Sequence, residues 1–145
     1  MPTLYAEIEI DRPRSRVWQV LTDKAHWAQW NTFLFDCDRR QPLQIGQELW
    51  LAVQRQLGEE TTEFWPIVTV LQPPTVLQWR AAIPGFCNQH SFELIDLGQS
   101  RTRYRHQQQF SGWMSRWFLL PIRQPEHRGM RRMAGELKRY VEAGR

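Results

Sequence analysis

Two histidines and a glutamine are the residues of this 145-residue chain whose types and spacing best suit chemistry. His90 and His106 fall in two alternating segments that we predict to be neighbouring strands. Each shares a strand face with a large apolar residue, Phe92 in one strand and Phe110 in the other, and Gln108 lies on the same face. Imidazole titrates near neutral pH, so this group could orient a ligand carbonyl or act as a general acid or base. The alternative is a pair of half-buried histidines satisfied by the backbone or by water.

Other chemistries have less support. The cysteines and histidines show no paired spacing such as Cys-x-x-Cys or His-x-x-x-His, so we expect no metal site. Residues 44–47 contain a single glycine and do not form a phosphate-binding motif. No serine lies in a Gly-x-Ser-x-Gly motif, which would mark a hydrolase nucleophile. We therefore expect neither a metal nor a nucleotide cofactor.

The elements that must position these residues follow from hydrophobic periodicity. Residues 3–10 alternate as a half-buried strand, and helical spacing then predicts short helices up to residue 22 and over 23–30. A period of two predicts further strands near 32–40, 46–55, 61–71, 75–82, 87–96 and 101–110. Short connections between these strands favour antiparallel pairing.

A long C-terminal helix is predicted over residues 125–143, where Met130, Met133 and Leu137 lie on one apolar stripe. Pro121 and Pro125 argue against one continuous helix from 113 to 143. The predicted fold is α+β, with a curled seven-stranded antiparallel sheet gripping this helix and enclosing a cavity. The predicted cavity wall comprises Trp30, Trp50, Trp79, Phe92, Phe110, Met130, Met133 and Leu137, with His90, His106 and Gln108 supplying polarity.

Composition sets limits on the class of protein. A chain of this length, with 41% hydrophobic residues, is the size of one globular domain spanning residues 1–145. No apolar stretch approaches about 20 residues and no secretory signal is recognisable, so we expect a cytoplasmic protein. The net charge of +4 is uneven, because 11 basic and 3 acidic side chains lie in residues 101–145. We expect this charge to lie on a solvated strand face and helix face, and we expect no binding to nucleic acid.

Several motifs together resemble the SRPBCC superfamily, also called START-like or birch-pollen-allergen-like helix-grip proteins, and within it the bacterial polyketide cyclase/dehydrase-type branch. The residues that carry the resemblance are 13–23 (PRSRVWQVLTD), 27–31 (WAQWN), Pro42 to Gly46, Pro73-Pro74 with Leu77 and Trp79, 90–94 (HSFEL), and Thr102, Tyr104, His106, Gln108, Phe110 and Gly112. The resemblance implies an apolar cavity rather than one shared reaction. The family pattern tends to have Glu where this chain has Gln108, which can form hydrogen bonds but cannot act as a base.

The segment 113–123 is the most apolar run and includes Trp113, Trp117 and Phe118. In helix-grip proteins this region lies near the cavity mouth, so it could be a lid, ordinary core, or a patch that touches a membrane or a partner. Arg116 and Arg123 beside these aromatic residues give a composition seen at bilayer surfaces.

Three functional hypotheses follow. The favoured one is the binding of a small apolar or amphipathic ligand, such as a lipid, a quinone or a polyketide-like molecule. The second is a cyclase or dehydratase in which His90 or His106 moves protons on a bound poly-carbonyl chain. The third is a module that binds an anionic membrane or a protein partner through residues 113–123. The oligomeric state and the ligand identity stay open at this point.

Overall fold

Eight strands form two antiparallel sheets in the computed structural model, which describes residues 2–144. The strands are β1 (Thr3–Ile10), β2 (Leu34–Asp36), β3 (Leu51–Val53), β4 (Thr62–Phe64), β5 (Ile67–Gln72), β6 (Val76–Ile83), β7 (Phe86–Gly98) and β8 (Arg101–Ser111). The larger sheet has the strand order β1-β8-β7-β6-β5, and the smaller sheet has the order β2-β3-β4. Helix α1 (Arg14–Thr22) and a 3-10 helix (Lys24–Gln29) follow β1, and helix α2 (Ser115–Glu142) ends the fold.

The α+β class, the antiparallel pairing and the long C-terminal helix are confirmed, but the expected single sheet of seven strands is wrong. The predicted strand 61–71 is two strands, β4 and β5, with Trp65 and Pro66 between them. Pro66 has no N–H and so cannot donate to a strand ladder. The two sheets still meet there, because the Leu49 N–H donates to the Pro66 carbonyl at 2.8 Å.

Helix α2 begins ten residues before the predicted start at Pro125 and runs through both prolines, so that boundary was wrong. Each proline removes a hydrogen bond to a carbonyl four residues earlier. Pro121 and Trp117 are exposed, so water can reach the carbonyl that Pro121 leaves without a partner. The buried side of the helix is continuous from Leu119 through Glu126 to Met130, which holds the helix on the sheet. Within residues 2–144, no helix is both long and apolar enough to cross a membrane.

Two contacts seat α2 against the rest of the protein. A Cβ on Gly129 would lie 2.4 Å from the ring of Phe33, so only glycine allows this close approach. Arg132 donates from Nη2 to the Gln54 carbonyl at 2.8 Å and from Nε to Thr32 Oγ1 at 2.9 Å. The loops before β2 and after β3 are therefore fixed to the helix.

Strands β7 and β8 position the candidate chemistry because their side chains alternate between two faces. The inward residues of β8, from Thr102 to Phe110, are all buried. The outward arginines pair with β1, where Glu9 accepts from Arg101 and Glu7 accepts from Arg105. In the register of β7 with β8, His90 lies opposite Gln108 and Phe92 lies opposite His106. Both histidines therefore face the interior beneath α2.

Candidate ligand-binding site

A pocket of about 440 Å³ opens where the small sheet meets the β6–β7 hairpin and α2. Its outer residues are exposed, with Trp65 at 51% and Ile83 at 56%, whereas His90 and Glu126 at its inner end are each 3% exposed. The mouth thus mixes apolar side chains such as Trp65 and Ile83 with the exposed polar residues Glu48, Thr62 and Glu63, and the inner end is polar. Its lining comprises Glu48, Val53, Arg55, Thr62, Glu63, Phe64, Trp65, Ala81, Ala82, Ile83, Phe86, Asn88, His90 and Glu126.

A chain of three polar side chains leads from the pocket into the sheet. Asn88 Nδ2 lies 3.3 Å from His90 Nε2, and His90 Nδ1 lies 3.0 Å from His106 Nε2. Burial lowers the pKa of His90 to about 3. Burial, together with the neighbouring His90, lowers the pKa of His106 well below its ordinary value. Both rings are neutral at pH 7, so one nitrogen of the pair donates and the other accepts.

Glu126 brings a carboxylate to the same end of the pocket from α2. Arg55 donates from Nε to Glu126 Oε2 at 2.7 Å, and Gln108 donates from Nε2 to Glu126 Oε1 at 2.8 Å. Burial raises the pKa of Glu126, while the Arg55 charge and these two hydrogen bonds lower it in part. A carboxyl whose pKa is raised towards neutrality can accept or return a proton.

Several polar atoms near this end lack a partner. Within residues 2–144, Asn88 Oδ1, His106 Nδ1 and Gln108 Oε1 are buried and make no hydrogen bond. A buried polar atom without a partner costs about 1–3 kcal/mol, so Asn88, the one of these three residues that lines the pocket, is suited to a polar group from outside the chain. In the same range, no group of three or more His, Cys, Asp or Glu side chains could hold a metal ion.

Aromatic side chains form the walls beside the polar end. Phe64 of β4 stacks on His90, with ring centroids 6.1 Å apart and planes inclined by 17°. Phe86 of β7 packs between Phe110, at 6.0 Å, and Phe118 of α2, at 4.9 Å. A flat apolar molecule can therefore contact ring faces while its polar end reaches His90.

The structure brings His90 to the pocket and leaves the other predicted lining residues elsewhere. Trp30 lies in another groove beside Tyr140, and Trp50 is 37% exposed. In the segment predicted as a lid or patch, Trp113 and Trp117 are exposed, whereas Phe118 packs on the pocket wall. The remaining predicted lining residues are buried in the packed interior: Trp79, Phe92, His106, Gln108, Phe110, Met130, Met133 and Leu137.

Sequence reasoning missed Glu126, Arg55, Asn88 and Phe64. Glu126 lies four residues before Met130 on the apolar stripe of α2, and a carboxylate on such a stripe is a usable signal. The predicted helix over 125–143 contained Glu126 but put it in the first turn, where acidic residues are common. Asn88 shares a strand face with His90 and was also recognisable, whereas nothing in the sequence marks Arg55, which follows β3 in a loop.

A helix gripped by an antiparallel sheet, with a pocket at one end, defines a helix-grip protein of the SRPBCC type. The chain belongs to the family described as polyketide cyclase/dehydrase and lipid transport, whose model matches residues 1–142. This confirms the resemblance drawn from the sequence motifs. No curated protein matches the sequence.

Solved structures share the fold at low sequence identity. Norcoclaurine synthase from Thalictrum flavum, solved with dopamine and hydroxybenzaldehyde, matches with a TM-score of 0.72 and 12% identity, covering 99% of this chain and 88% of that one. Protein NE0264 from Nitrosomonas europaea matches at 0.74 and 19%, covering 98% and 95% of the two chains. DynU16, from the dynemicin biosynthetic locus, matches at 0.66 and 21%, covering 99% of this chain and 48% of its own. At these identities the likeness extends to the fold alone.

Proposed function

We propose that this protein binds a small aromatic molecule carrying a hydroxyl or carbonyl group, with its rings against Phe64 and Phe86. Its polar group would hydrogen-bond to His90 and Asn88 at the inner end of the pocket. The observation that carries this proposal is the buried, neutral His90 at the inner end of a pocket whose lining also includes the aromatic rings of Phe64 and Phe86. The pocket volume of about 440 Å³ lies within the range of small-molecule sites.

The hydrogen bonds and charges of the pocket lining favour an uncharged polar group over an anionic one. Both histidines stay neutral, and both ring nitrogens of His90 have partners, so a ligand group would reach His90 Nε2 by replacing its 3.3 Å contact with Asn88. Glu126 is already paired with Arg55, and the other charged lining residues, Glu48 and Glu63, are acidic, so the lining offers no unpaired cation to an anionic headgroup. The aromatic walls favour flat rings over a flexible alkyl chain, because ordering a flexible chain costs more entropy.

Titration with emodin, a hydroxyanthraquinone, tests the proposal by calorimetry and tryptophan quenching. His90→Phe should weaken binding about tenfold, the cost of about one hydrogen bond. Phe64→Ala should weaken it through lost ring contact. The exposed His26→Phe variant is the matched control and should bind as the parent protein does. Failure of emodin to saturate the protein, or tighter binding of oleate than of emodin, would contradict the proposal.

A second candidate function, a cyclase or dehydratase, is favoured by Glu126. Its carboxylate, which accepts hydrogen bonds from Arg55 and Gln108, would remove a proton from the carbon beside a ligand carbonyl. The resulting enolate would attack a second carbonyl of the same molecule, forming one carbon–carbon bond and an alkoxide. Glu126 would return the proton to that alkoxide, so the step needs no oxidant or reductant. His90 would hold the first carbonyl by a hydrogen bond.

Deuterium exchange at the α-carbon of 2-tetralone, followed by proton NMR, tests this second function. The protein should accelerate exchange over buffer, and Glu126→Gln should return the rate to the buffer value while emodin still binds. Glu136→Gln is a control on the same helix, because Glu136 is bound to Thr32 outside the pocket. Equal rates in the parent protein and Glu126→Gln would exclude Glu126 as the base.

A further inference from the structure

The start of α2 carries an apolar surface that the fold leaves uncovered. Trp113 is 79% exposed, Trp117 is 67% exposed and Leu120 is 70% exposed. We refer to these three residues as the tryptophan patch. Trp117 and Leu120 are three apart on the helix and so lie on one face. Exposed tryptophans grouped in this way mark an interaction surface rather than scattered surface residues.

The charge around the tryptophan patch is positive. Arg116 lies beside Trp117, with its guanidinium carbon 6.0 Å from the ring centroid, and Arg123 is one helical turn beyond Leu120. No acidic residue occurs between Asp96 and Glu126 in the sequence. The first turn of α2 likewise contains no acidic residue. The surface therefore combines large apolar side chains with Arg116 and Arg123, which form no ion pair within the described residues 2–144.

The tryptophan patch shares an edge with the mouth of the pocket. The Met114 N–H donates to the Gly85 carbonyl at 2.8 Å, which joins the start of α2 to the turn between β6 and β7. A Cβ on Gly85 would lie 3.0 Å from the Trp113 ring. On either side of this turn, Ile83 and Phe86 line the pocket.

We propose that the protein docks on an anionic lipid bilayer through the tryptophan patch. Trp113, Trp117 and Leu120 would enter the boundary between headgroups and acyl chains, where tryptophan is favoured because its ring is apolar and its N–H is polar. Arg116 and Arg123 would contact anionic headgroups. This docking goes beyond the pocket's proposed function and needs no ligand in the pocket.

A second copy of the chain fits the tryptophan patch less well. A stable dimer buries about 800 Å² on each partner, and three side chains supply well below that area. A two-fold axis through the patch would also bring Arg116 and Arg123 of one copy near those of the other. Both the small area and the positive charge favour a lipid surface.

Docking in this orientation places the pocket mouth beside the lipid surface. The mouth residue Ile83 is 56% exposed and lies next to the turn that carries Trp113. An apolar molecule dissolved in the bilayer could then enter the pocket past Ile83 and Phe86. This consequence alone rests on the proposed pocket function.

Vesicle flotation tests the docking directly. The parent protein should float with phosphatidylcholine vesicles that contain phosphatidylglycerol at low salt, and much less with phosphatidylcholine alone or at high salt. Trp113→Ser combined with Trp117→Ser should reduce the bound fraction at least about tenfold. Arg116→Gln combined with Arg123→Gln should remove the preference for anionic vesicles. Ile45→Ser combined with Leu57→Ser, which changes exposed apolar residues elsewhere, should leave flotation unchanged.

Three results would overturn the docking proposal. One is a parent protein that stays with the soluble fraction on anionic vesicles at low salt. Another is equal flotation of the parent and the Trp113→Ser, Trp117→Ser variant. The third is a parent protein that does not float and sediments as a dimer, while the Trp113→Ser, Trp117→Ser variant sediments as a monomer. That result would assign the tryptophan patch to a second copy of the chain. Circular dichroism and thermal unfolding of each variant report whether its fold is intact, separately from docking and from any ligand binding.

Discussion

The space beneath the sheet has two halves that differ in packing. In the filled half, Trp79, Phe92 and Leu137 are 0% exposed and fill the interior under α2. In the hollow half, around Phe64 and His90, a pocket of about 440 Å³ remains. Strands β6 and β7 contribute to both halves. The same sheet therefore supplies a stabilising core and a ligand-sized space.

The difference between the halves lies in which elements close them. Over the filled half, α2 lies directly on β1 and β8, and its methionines occupy the space. Over the hollow half, cover comes from the short strand β4 and from the part of α2 around Glu126. A three-residue strand brings few side chains, so space remains. Buried polar atoms without a partner occur in both halves, with Trp79 Nε1 in the filled half and Asn88 Oδ1 in the hollow half, but of these two residues only Asn88 lines the pocket.

The sharpest way to separate the halves is a matched pair of phenylalanine truncations. Phe92→Ala removes a fully buried ring from the filled half and should lower the free energy of unfolding by about 3–5 kcal/mol. Phe64→Ala removes a half-buried ring facing the pocket and should cost less than about 2 kcal/mol, because no closed cavity forms. Urea unfolding of both variants measures the difference. Equal losses would show that the two halves do not differ in packing.

Acid should destabilise the protein through the two histidines at the boundary of the halves. Folding lowers the pKa values of His90 and His106. Below about pH 6.5, the unfolded chain therefore binds protons on these two histidines that the folded protein does not bind. Stability is complete above that pH and falls as the pH drops towards about 3. The slope should reach about 1.4 kcal/mol per pH unit for each histidine. Urea unfolding measured across this interval gives the slope.

The control for this pH dependence is the double variant His90→Gln, His106→Gln, whose stability should change less with pH in the same interval. Glu126 works in the opposite direction, since its raised pKa gives stability that is lost as the pH rises above about 4.3. A parent protein whose stability is flat between about pH 6.5 and 4 would contradict the burial of neutral imidazoles.

Two glycines of α2 test how closely the helix closes the interior. Gly129→Ala would place a methyl group 2.4 Å from the Phe33 ring and should destabilise by about 1–3 kcal/mol. Gly135→Ala is the control, because its new Cβ would meet only the Arg139 side chain, at 3.3 Å. That flexible side chain can move, so the change should stabilise by up to about 1 kcal/mol. Thermal unfolding distinguishes the two, and a harmless Gly129→Ala would disprove the close approach.

Much of the filled half could be predicted from the sequence, because alternation and helical spacing report which residues face a core. The strand positions of Phe92, His106 and Phe110 and the stripe through Met130 followed from periodicity alone. The hollow half could not be predicted in the same way. Periodicity shows on which face of a strand or helix a side chain lies, but not whether the space in front of that face is filled by other side chains. For this reason, residues that pack in the filled interior were predicted to line a cavity.

The location of the pocket depends on features that local pattern does not encode. Pro66 splits one predicted strand and produces the short β4, whose Phe64 stacks on His90. The extension of α2 through Pro121 and Pro125 places Glu126 well inside the helix and against Gln108. Both depend on tertiary packing that overrides local helix and strand signals.

The smallest expected effect lies on the outer face of the strands that carry the site. Arg105 donates to Glu7 at 2.7 Å, and both side chains are about one-third or more exposed. Arg105→Gln should therefore cost only about 0.2–1 kcal/mol and leave emodin binding unchanged. Gln108→Leu is the contrast from the inner face of β8, since it removes the bond to Glu126 and should raise the pKa of that carboxyl. If urea unfolding showed Arg105→Gln to be as damaging as Phe92→Ala, the outer charges and not the filled interior would be holding the sheet.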